Sequence, residues 1–486
     1  MALNFPDNPT PGQQYTDPNN LIWEFNGVVW TPITGTVGIS GFSGFSGYSG
    51  YSGTSGYSGI TGISGFSGTS SATISASDEG NLLTSIVSGF NFAGTNVVTT
   101  NVGGAVTVTI EPPIVYDNSA WVWGAGGNGS RGDNISTGCT SSPGSVVGGF
   151  TDWCQISVGG WSSTTTGFGF AVRTNGTLWG WGYAGGGRLG NNCTTNRSSP
   201  VSVVGGFTDW CQVSTSTPFS GFTLAVRQNG TAWAWGDGTC GKLGDNTTVN
   251  KSSPVSVIGG FCDWCQIAAG DVHSLAIRTT GTAWAWGSGA NGRLGDSTTT
   301  NKSSPVSVIG GFCDWCQISA GPNFSLAVRQ NGTAWAWGYA GIGNLGNNST
   351  TDRSSPVSVI GGFTDWCQIS AGGAFSLAVR QNGTAWAWGR GAFGRLGDNT
   401  TADKSSPVSV VGGFTDWCQV ATGYRHSIGV RQSGTAWAWG QNTPSQLGDN
   451  STVDKSSPVS VVGGFTDWCQ VSAVYGMSAG IRSTIT

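Results

Sequence analysis

Apolar and polar positions alternate in short runs over most of the chain, and the runs recur. Between Cys367 and Val410, four such runs follow one another: Gln368-Ile369-Ser370-Ala371, Ser376-Leu377-Ala378-Val379-Arg380, Ala385-Trp386-Ala387-Trp388-Gly389 and Ser406-Pro407-Val408-Ser409-Val410. Alternation with period two over four to six residues marks a half-buried strand. The pattern predicts four antiparallel strands, A to D. Gln381-Asn382-Gly383-Thr384 joins B to C as a tight hairpin, because Asn-Gly tolerates positive φ. Both tryptophans of strand C fall on one face and the small alanines on the other. Pro407 suits an edge position for strand D.

The same block returns seven times. W-x-W-G starts at Trp121, Trp179, Trp233, Trp284, Trp335, Trp386 and Trp437, and D-W-C-Q places cysteine at 154, 211, 265, 316, 367, 418 and 469; the last four spacings of each series are 51 residues. Four-stranded antiparallel units repeated seven times predict an all-β protein with a seven-bladed β-propeller over residues 115–486. The last copy supplies only strands A and B, and the first begins with strand C at Trp121–Gly124. One blade is therefore expected to join both ends and remove the open edge of the array.

The residues before the repeats read differently. In 1–34, Ile22-Trp23-Glu24-Phe25 and Val28-Val29-Trp30 flank Asn26-Gly27, which predicts a small β module with a hairpin on a type I′ turn. In 35–70, glycine recurs at every third position from Gly35 to Gly68, twelve times without a break. That spacing is the mark of a collagen-like triple helix, a rod of roughly 110 Å at ~3.1 Å per residue. There is no proline, however, and nine of the twelve following positions are Ile, Phe or Tyr, so another glycine-threaded assembly or a linker stays open beside it. Residues 71–114 carry Asn96–Thr100 and Ala105–Ile110, read as a β neck.

Charge narrows the function classes. Only 9% of residues are charged, and residues 1–130 hold seven acids and no Lys or Arg; the net charge is −4. No basic patch is dense enough for nucleic acid, no run is long enough for membrane insertion, and the N-terminus lacks the pattern of a signal peptide. The repeats contain no glutamate and two histidines, with no nucleophile–base pair or phosphate loop, so neither an enzyme nor a cofactor is expected. Seven of twelve cysteines are the D-W-C residue and are expected as core filler. Cys262/Cys265 and Cys313/Cys316 form C-x-x-C pairs, weak metal candidates, since each extra cysteine replaces the threonine of F-T-D-W-C. Arg131-Gly132-Asp133 is the L-G-D turn of the other copies with one substitution. An aspartate before strand A, as Asp365, and an arginine after strand B, as Arg380, recur in each blade and are expected to pair.

Comparing copies shows where the chain varies. Of 24 tryptophans, 14 lie in W-x-W-G and seven in D-W-C, which assigns them to the core and leaves Trp23, Trp30 and Trp161. Two tracts change from copy to copy, one after strand A and one after W-x-W-G. In an up-down blade these A–B and C–D connections emerge at the same end, and rigid frameworks carrying variable loops are how binding proteins are built. The candidate ligand-binding face is Trp161, Tyr183, Phe219, Asp237, Asp271, Asn323, Tyr339, Arg390, Phe393, Tyr424, Arg425 and Tyr475.

The D-W-C-Q, S-L-A-V-R, W-A-W-G and L-G-D motifs resemble the regulator of chromosome condensation repeat family, with Ile267-Ala268-Ala269-Gly270-Asp271-Val272-His273-Ser274-Leu275-Ala276-Ile277 close to its signature. The usual histidine survives at His273 and His426, while Phe324 and Phe375 take the matching places, which implies packing. That family includes nucleotide exchange factors and proteins that bind or inhibit other proteins, so fold does not carry function across. The opening Phe5–Gly12, Trp23–Gly27, the Gly-x-Ser run and Asn96–Ile110 resemble fibre proteins of tailed bacteriophages. This resemblance implies a non-enzymatic virion fibre or spike: 1–34 docks on other virion proteins, the stalk makes a homotrimer, and the propeller meets a host cell-surface glycan or protein. It would be assembled in the host cytoplasm and located in the virion. The alternatives are a capsid decoration protein, a bacterial adhesin or protein-binding propeller, and a glycan-cleaving enzyme.

Triple-helix register needs three chains, so a fragment of residues 1–116 is expected to be a trimer by light scattering. A monomeric fragment would remove the stalk reading.

Overall fold

The computed structural model describes residues 116–160, 166–216 and 221–485, with the backbone of six strands that precede them. The chain divides into two compact units, Met1–Ser71 and Ala72–Thr486. In the first, Gln14–Thr16, Ile22–Phe25 and Trp30–Ile33 form an antiparallel sheet in that order. The expected hairpin is present in a different register. Phe25 pairs with Trp30, so the second strand starts at Trp30 rather than at Val28. In the second unit, Ala105–Ile110 lies between Ala72–Ala76 and Val97–Val102. The glycine run at 35–70 lies outside the described residues.

Residues 116–485 form seven four-stranded antiparallel sheets, each a meander with A and D at its edges. Blades 1 to 7 open with strand A at Trp153, Trp210, Trp264, Trp315, Trp366, Trp417 and Trp468. Blade 5 is representative: A is Trp366–Ala371, B Phe375–Arg380, C Ala385–Gly389 and D Lys404–Ser409. Strand D begins two residues before the predicted run. Blade 7 takes A and B from Trp468–Val474 and Met477–Ile485, and C and D from Tyr116–Ala125 and Cys139–Ser145. Its B–C ladder runs through nine pairs, from Met477↔Gly124 to Ile485↔Tyr116, against five in blade 5. The closing strand is longer than predicted because the two chain ends continue to pair beyond the common repeat.

The alternation along strand C is explained by what lies on either side of each sheet. Leu326, Val328, Ala334 and Ala336 of blade 4 share one core with Trp366, Ile369 and Trp388 of blade 5. The alanine face of one blade is thus the seat for the tryptophan face of the next. Seven such cores run round the ring, including Val122 and Met477 of blade 7 against Trp153 and Trp181 of blade 1. The second tryptophan of W-x-W-G is fully buried in all seven blades. Removing one such ring costs about 3–5 kcal/mol.

Polar groups lock the same interfaces. The Asn344 carbonyl in blade 4 accepts from Trp388 Nε1 (3.0 Å) and from Ser376 Oγ (2.9 Å) in blade 5. Strand A is innermost, so its inner-edge N–H groups have no partner strand. Side chains of the adjoining blade supply the acceptors. Gln368 Oε1 accepts from Val420 N (2.7 Å) and Ser370 Oγ from Thr422 N (3.1 Å). Gln470 of blade 7 accepts from Ile156 N of blade 1 at 2.7 Å, which carries the pattern across the closure. The glutamine of D-W-C-Q therefore has a structural task that its spacing did not reveal.

Deleting residues 115–124 takes away Trp123 and Val122 and uncovers strand B of blade 7. The expected loss is about 5 kcal/mol or more, a fall in melting temperature of roughly 10 °C, with lower solubility. Calorimetry of the deleted and full chains checks this; equal melting would mean that the ring closes without this strand.

Candidate functional site

The two ends of the propeller are built differently. At the B–C end, Arg380 Nε donates to Asp365 Oδ1 (2.8 Å), and its guanidinium lies 4.1 Å from the Phe363 ring. Phe363 meets Trp366 edge-on at 5.3 Å and tilts against Trp386 at 4.9 Å. Equivalent Asp–Arg pairs close every blade, at 2.7–2.8 Å. The turn itself is fixed by its asparagine, as Asn382 Oδ1 accepts from Thr384 N (3.1 Å) and Oγ1 (2.7 Å). Each of these residue types is needed by another, which explains why this end hardly varies.

At the opposite end only the backbone is prescribed. The residue after W-x-W-G donates its N–H to the carbonyl of the residue before strand B: Tyr339 to Asn323 (2.9 Å), Arg390 to Ala374 (3.0 Å) and Gln441 to Arg425 (3.0 Å). Such a bond accepts any side chain. It also ties the A–B and C–D connections of each blade together, so the two variable tracts share one face.

Trp161 and Phe219 lie outside the described residues. Of the other candidates, several are engaged within the protein. The Arg188 guanidinium is 4.7 Å from the half-buried Tyr183 ring. Asp237 pairs with the buried Lys242 at 2.8 Å. Asp271 is buried and bears on Arg293 electrostatically. Asn323 is exposed, and the Tyr339 carbonyl accepts from Asn344 Nδ2 at 2.6 Å.

The remaining five converge. The Arg425 guanidinium lies 5.4 Å from the Phe393 ring, 5.7 Å from Tyr424 and 5.1 Å from Tyr475. The Tyr424 and Tyr475 rings lie 5.5 Å apart at a tilt, and Tyr475 is buried, a support rather than a displayed side chain. Beneath them Arg395 is 2% exposed and 5.4 Å from Phe393. Burial, then the charges of Arg390 and Arg425, push the Arg395 guanidinium down to about 9. Sequence reasoning missed Arg395, which looks like one more residue of the repeated x-L-G-D turn.

One expectation needs adjustment. The D-W-C cysteines are not core: six are exposed and Cys211 is intermediate. The strand A–B register shifts at this position, as between Trp366 and Gln368, so Cys367 is the extra residue of a β-bulge and misses the interblade core. Its Sγ donates to the Val379 carbonyl (3.4 Å), and desolvation raises the thiol pKa above its ordinary value. Cys262, Cys265, Cys313 and Cys316 are free thiols, and among the described residues no three Cys, His, Asp or Glu side chains gather as a metal site. Arg131 is 2% exposed and paired with Asp133 at 2.7 Å, an internal turn rather than a displayed tripeptide. A cavity of about 260 Å³ on the axis is lined by strand A residues, among them Ser157, Ser319, Ser370 and Ser472.

His273 and His426 are fully buried. His426 Nε2 is 2.8 Å from Ser478 Oγ, whose own proton goes to the Gln446 carbonyl at 2.8 Å. The histidine must then be the donor through Nε2, with Nδ1 unprotonated. Burial holds the His426 imidazole down to about 3 and that of His273 well below its ordinary value.

The RCC1-like domain family profile matches residues 59–411 and 170–485. The chain is 30% identical over 303 residues to the human E3 ubiquitin-protein ligase HERC2, covering 60% of this chain and 6% of that protein. It is 29% identical over 290 residues to the ultraviolet-B receptor UVR8 of Arabidopsis thaliana, covering 58% and 64%. The chain thus spans less than two thirds of either relative. The crystal structure of Prp20p from Saccharomyces cerevisiae, reported with its binding to Gsp1p and histones, superposes with a TM-score of 0.66 at 20% identity, over 76% of this chain and 93% of that one. At that identity it speaks for the fold.

Unfolded histidines protonate near pH ~6.5, but the buried ones stay neutral far below it. The unfolded state therefore binds more protons below pH ~6.5, for His426 down to about 3, and stability falls as pH drops below ~6.5, by up to ~1.4 kcal/mol per pH unit for each histidine still neutral in the fold. Replacing His273 and His426 by Phe, the residue that blades 4 and 5 carry there, is expected to flatten this slope in denaturant titrations at pH 7, 5.5 and 4.5. Equal slopes in both proteins would contradict the buried neutral assignment.

Proposed function

Since the chain belongs to the RCC1-like domain family, we propose that its propeller is a binding module that docks a protein partner through the face carrying the A–B and C–D connections. One observation carries this reading: side-chain variation is concentrated at the end where only backbone bonds are prescribed, while the equally exposed B–C end is held nearly constant by the Asp–Arg–Phe–Trp stack. Protein binding by Prp20p supports a protein as the partner class. The activity is non-enzymatic: the two histidines are buried in the framework, and the D-W-C thiols are held by strand B carbonyls.

A second reading is favoured by the unbroken Gly35–Gly68 series. In it the propeller is the head of a trimeric bacteriophage fibre anchored by residues 1–34, located in the virion, and its partner is a host cell-surface protein or glycan. Three heads would then add avidity to the same face. A capsid decoration role uses the same parts without a host partner.

The test compares two full-length variants as bait for surface and soluble proteins of the cells in which the chain is found. Tyr183→Ala/Tyr339→Ala/Arg425→Ala is expected to lower specific capture about tenfold or more. Asn229→Asp/Asn331→Asp/Asn382→Asp, which keeps the turn acceptor, is expected to leave capture unchanged. Loss with the second variant and not the first would reverse the face assignment.

A further inference from the structure

The chain contains an internal comparison for Arg395. Two blades earlier, and 102 residues back, Arg293 occupies the same place. Arg293 is also buried, and it is compensated. Its Nε donates to the Ala290 carbonyl (2.8 Å), Nη1 to Pro322 O (3.1 Å) and Nη2 to Asn291 Oδ1 (3.1 Å). Asp271 is the foremost carboxylate bearing on it, with Asp352 further down. Arg395 keeps the two backbone acceptors, Ala392 O (2.8 Å) and Tyr424 O (3.2 Å). The other two groups are gone: Phe393 stands in the place of Asn291, and Gly373 in the place of Asp271.

What replaces them is more positive charge. Arg390 stands where Ser288 does, and Arg425 where Asn323 does in the following blade. Both act on Arg395 as like charges. Among the described residues none of the three forms an ion pair, although thirteen other cations do. Asp403 bears on Arg395 only weakly, and its Oδ1 already accepts from Gly391 N at 2.8 Å. Placing two further guanidiniums beside a buried one is unfavourable unless an anion completes the cluster.

The backbone gives an independent sign. Phe393 has φ +66°, in a turn where Asn128, Gly186 and Asn291 take the same place in three other copies and Cys240 in a fourth. A bulky residue in the left-handed region is strained, and strain persists where it serves a site. Here it holds an exposed ring over Arg395 and Arg425.

We propose that Arg390, Arg395 and Arg425, walled by Phe393 and Tyr424, form a subsite for carboxylates, and that its occupant is an acidic segment of the protein partner. Guanidiniums set against ring faces offer their planar fork, which matches a carboxylate in a bidentate fashion. The aromatic walls cover the aliphatic stem of a glutamate and exclude water around the pair. This assignment rests on the protein-docking role of the face and names its chemistry.

The test uses full-length protein and a fluorescein-labelled hexaglutamate peptide, with hexaglutamine as the neutral control, at low ionic strength. Saturable binding of hexaglutamate alone is expected, weakening about tenfold or more in Arg390→Gln/Arg425→Gln and hardly changing in Arg353→Gln, a likewise unpaired arginine on strand D of blade 4. Thermal melting verifies that the variants fold. If they do not, Arg390→Gln alone, at an exposed position, is expected to show the same direction. Equal binding by wild type and double variant, or equal loss with Arg353→Gln, would overturn the subsite. So would saturable binding of inorganic phosphate without saturable hexaglutamate binding, which would make it a phosphate site. Partner capture lost with Tyr183→Ala/Tyr339→Ala/Arg425→Ala but kept with Arg390→Gln/Arg425→Gln would overturn the carboxylate chemistry and leave the docking face standing.

Discussion

Each blade has one face of alanine, leucine and valine that only the tryptophan face of another blade covers. This constraint governs the rest of the molecule. Any open array would leave one such face in water, so the sheets must close into a ring, and the closing blade must be assembled from the two ends of the repeat region. The same constraint requires alanine beside each buried indole: Ala336 lies in one core with Trp388, and a larger residue would push the two sheets apart. It also sets the polar chemistry of the interfaces, since each indole N–H, each strand B hydroxyl and each inner-edge amide needs an acceptor once water has been excluded.

From the ring follows the asymmetry of its two ends. The B–C end is where the aspartate, arginine, phenylalanine and tryptophan of each repeat meet, so a change in one member disturbs the others. The A–B and C–D end is linked through main-chain bonds such as Arg390 N to Ala374 O, which tolerate any side chain. A propeller of this kind can change what it displays without changing what holds it together. The five residues that converge over Arg395 are the most developed use of that freedom among the described blades.

The histidines show how the framework absorbs a residue that elsewhere would suggest chemistry. His426 is enclosed by the ring, donates to Ser478 and stays neutral because burial penalises its charged form. Phenylalanine fills the same place in blades 4 and 5. The position asks for a flat ring of moderate size, and the imidazole adds one interblade hydrogen bond and a dependence on acid.

By itself, the sequence determined the all-β fold, the number of blades, the joining of first and last repeats, the Asp365–Arg380 type of ion pair and the division into a constant and a variable end. All of these depend on period-two patterning and on strict repetition, which survive without knowledge of contacts. The tertiary structure decided the rest. The D-W-C cysteine reads as core because it follows a buried tryptophan, yet a bulge turns it outward, and a bulge is a property of two paired strands. The glutamine beside it became an interblade clamp only once strand A proved innermost. Phe393, Tyr424, Arg425 and Tyr475 were visible as variable positions, but their convergence on Arg395 joins residues of three blades. Arg395 itself hid inside a repeated motif, because a charge is defined by its neighbours, and those come from elsewhere in the chain.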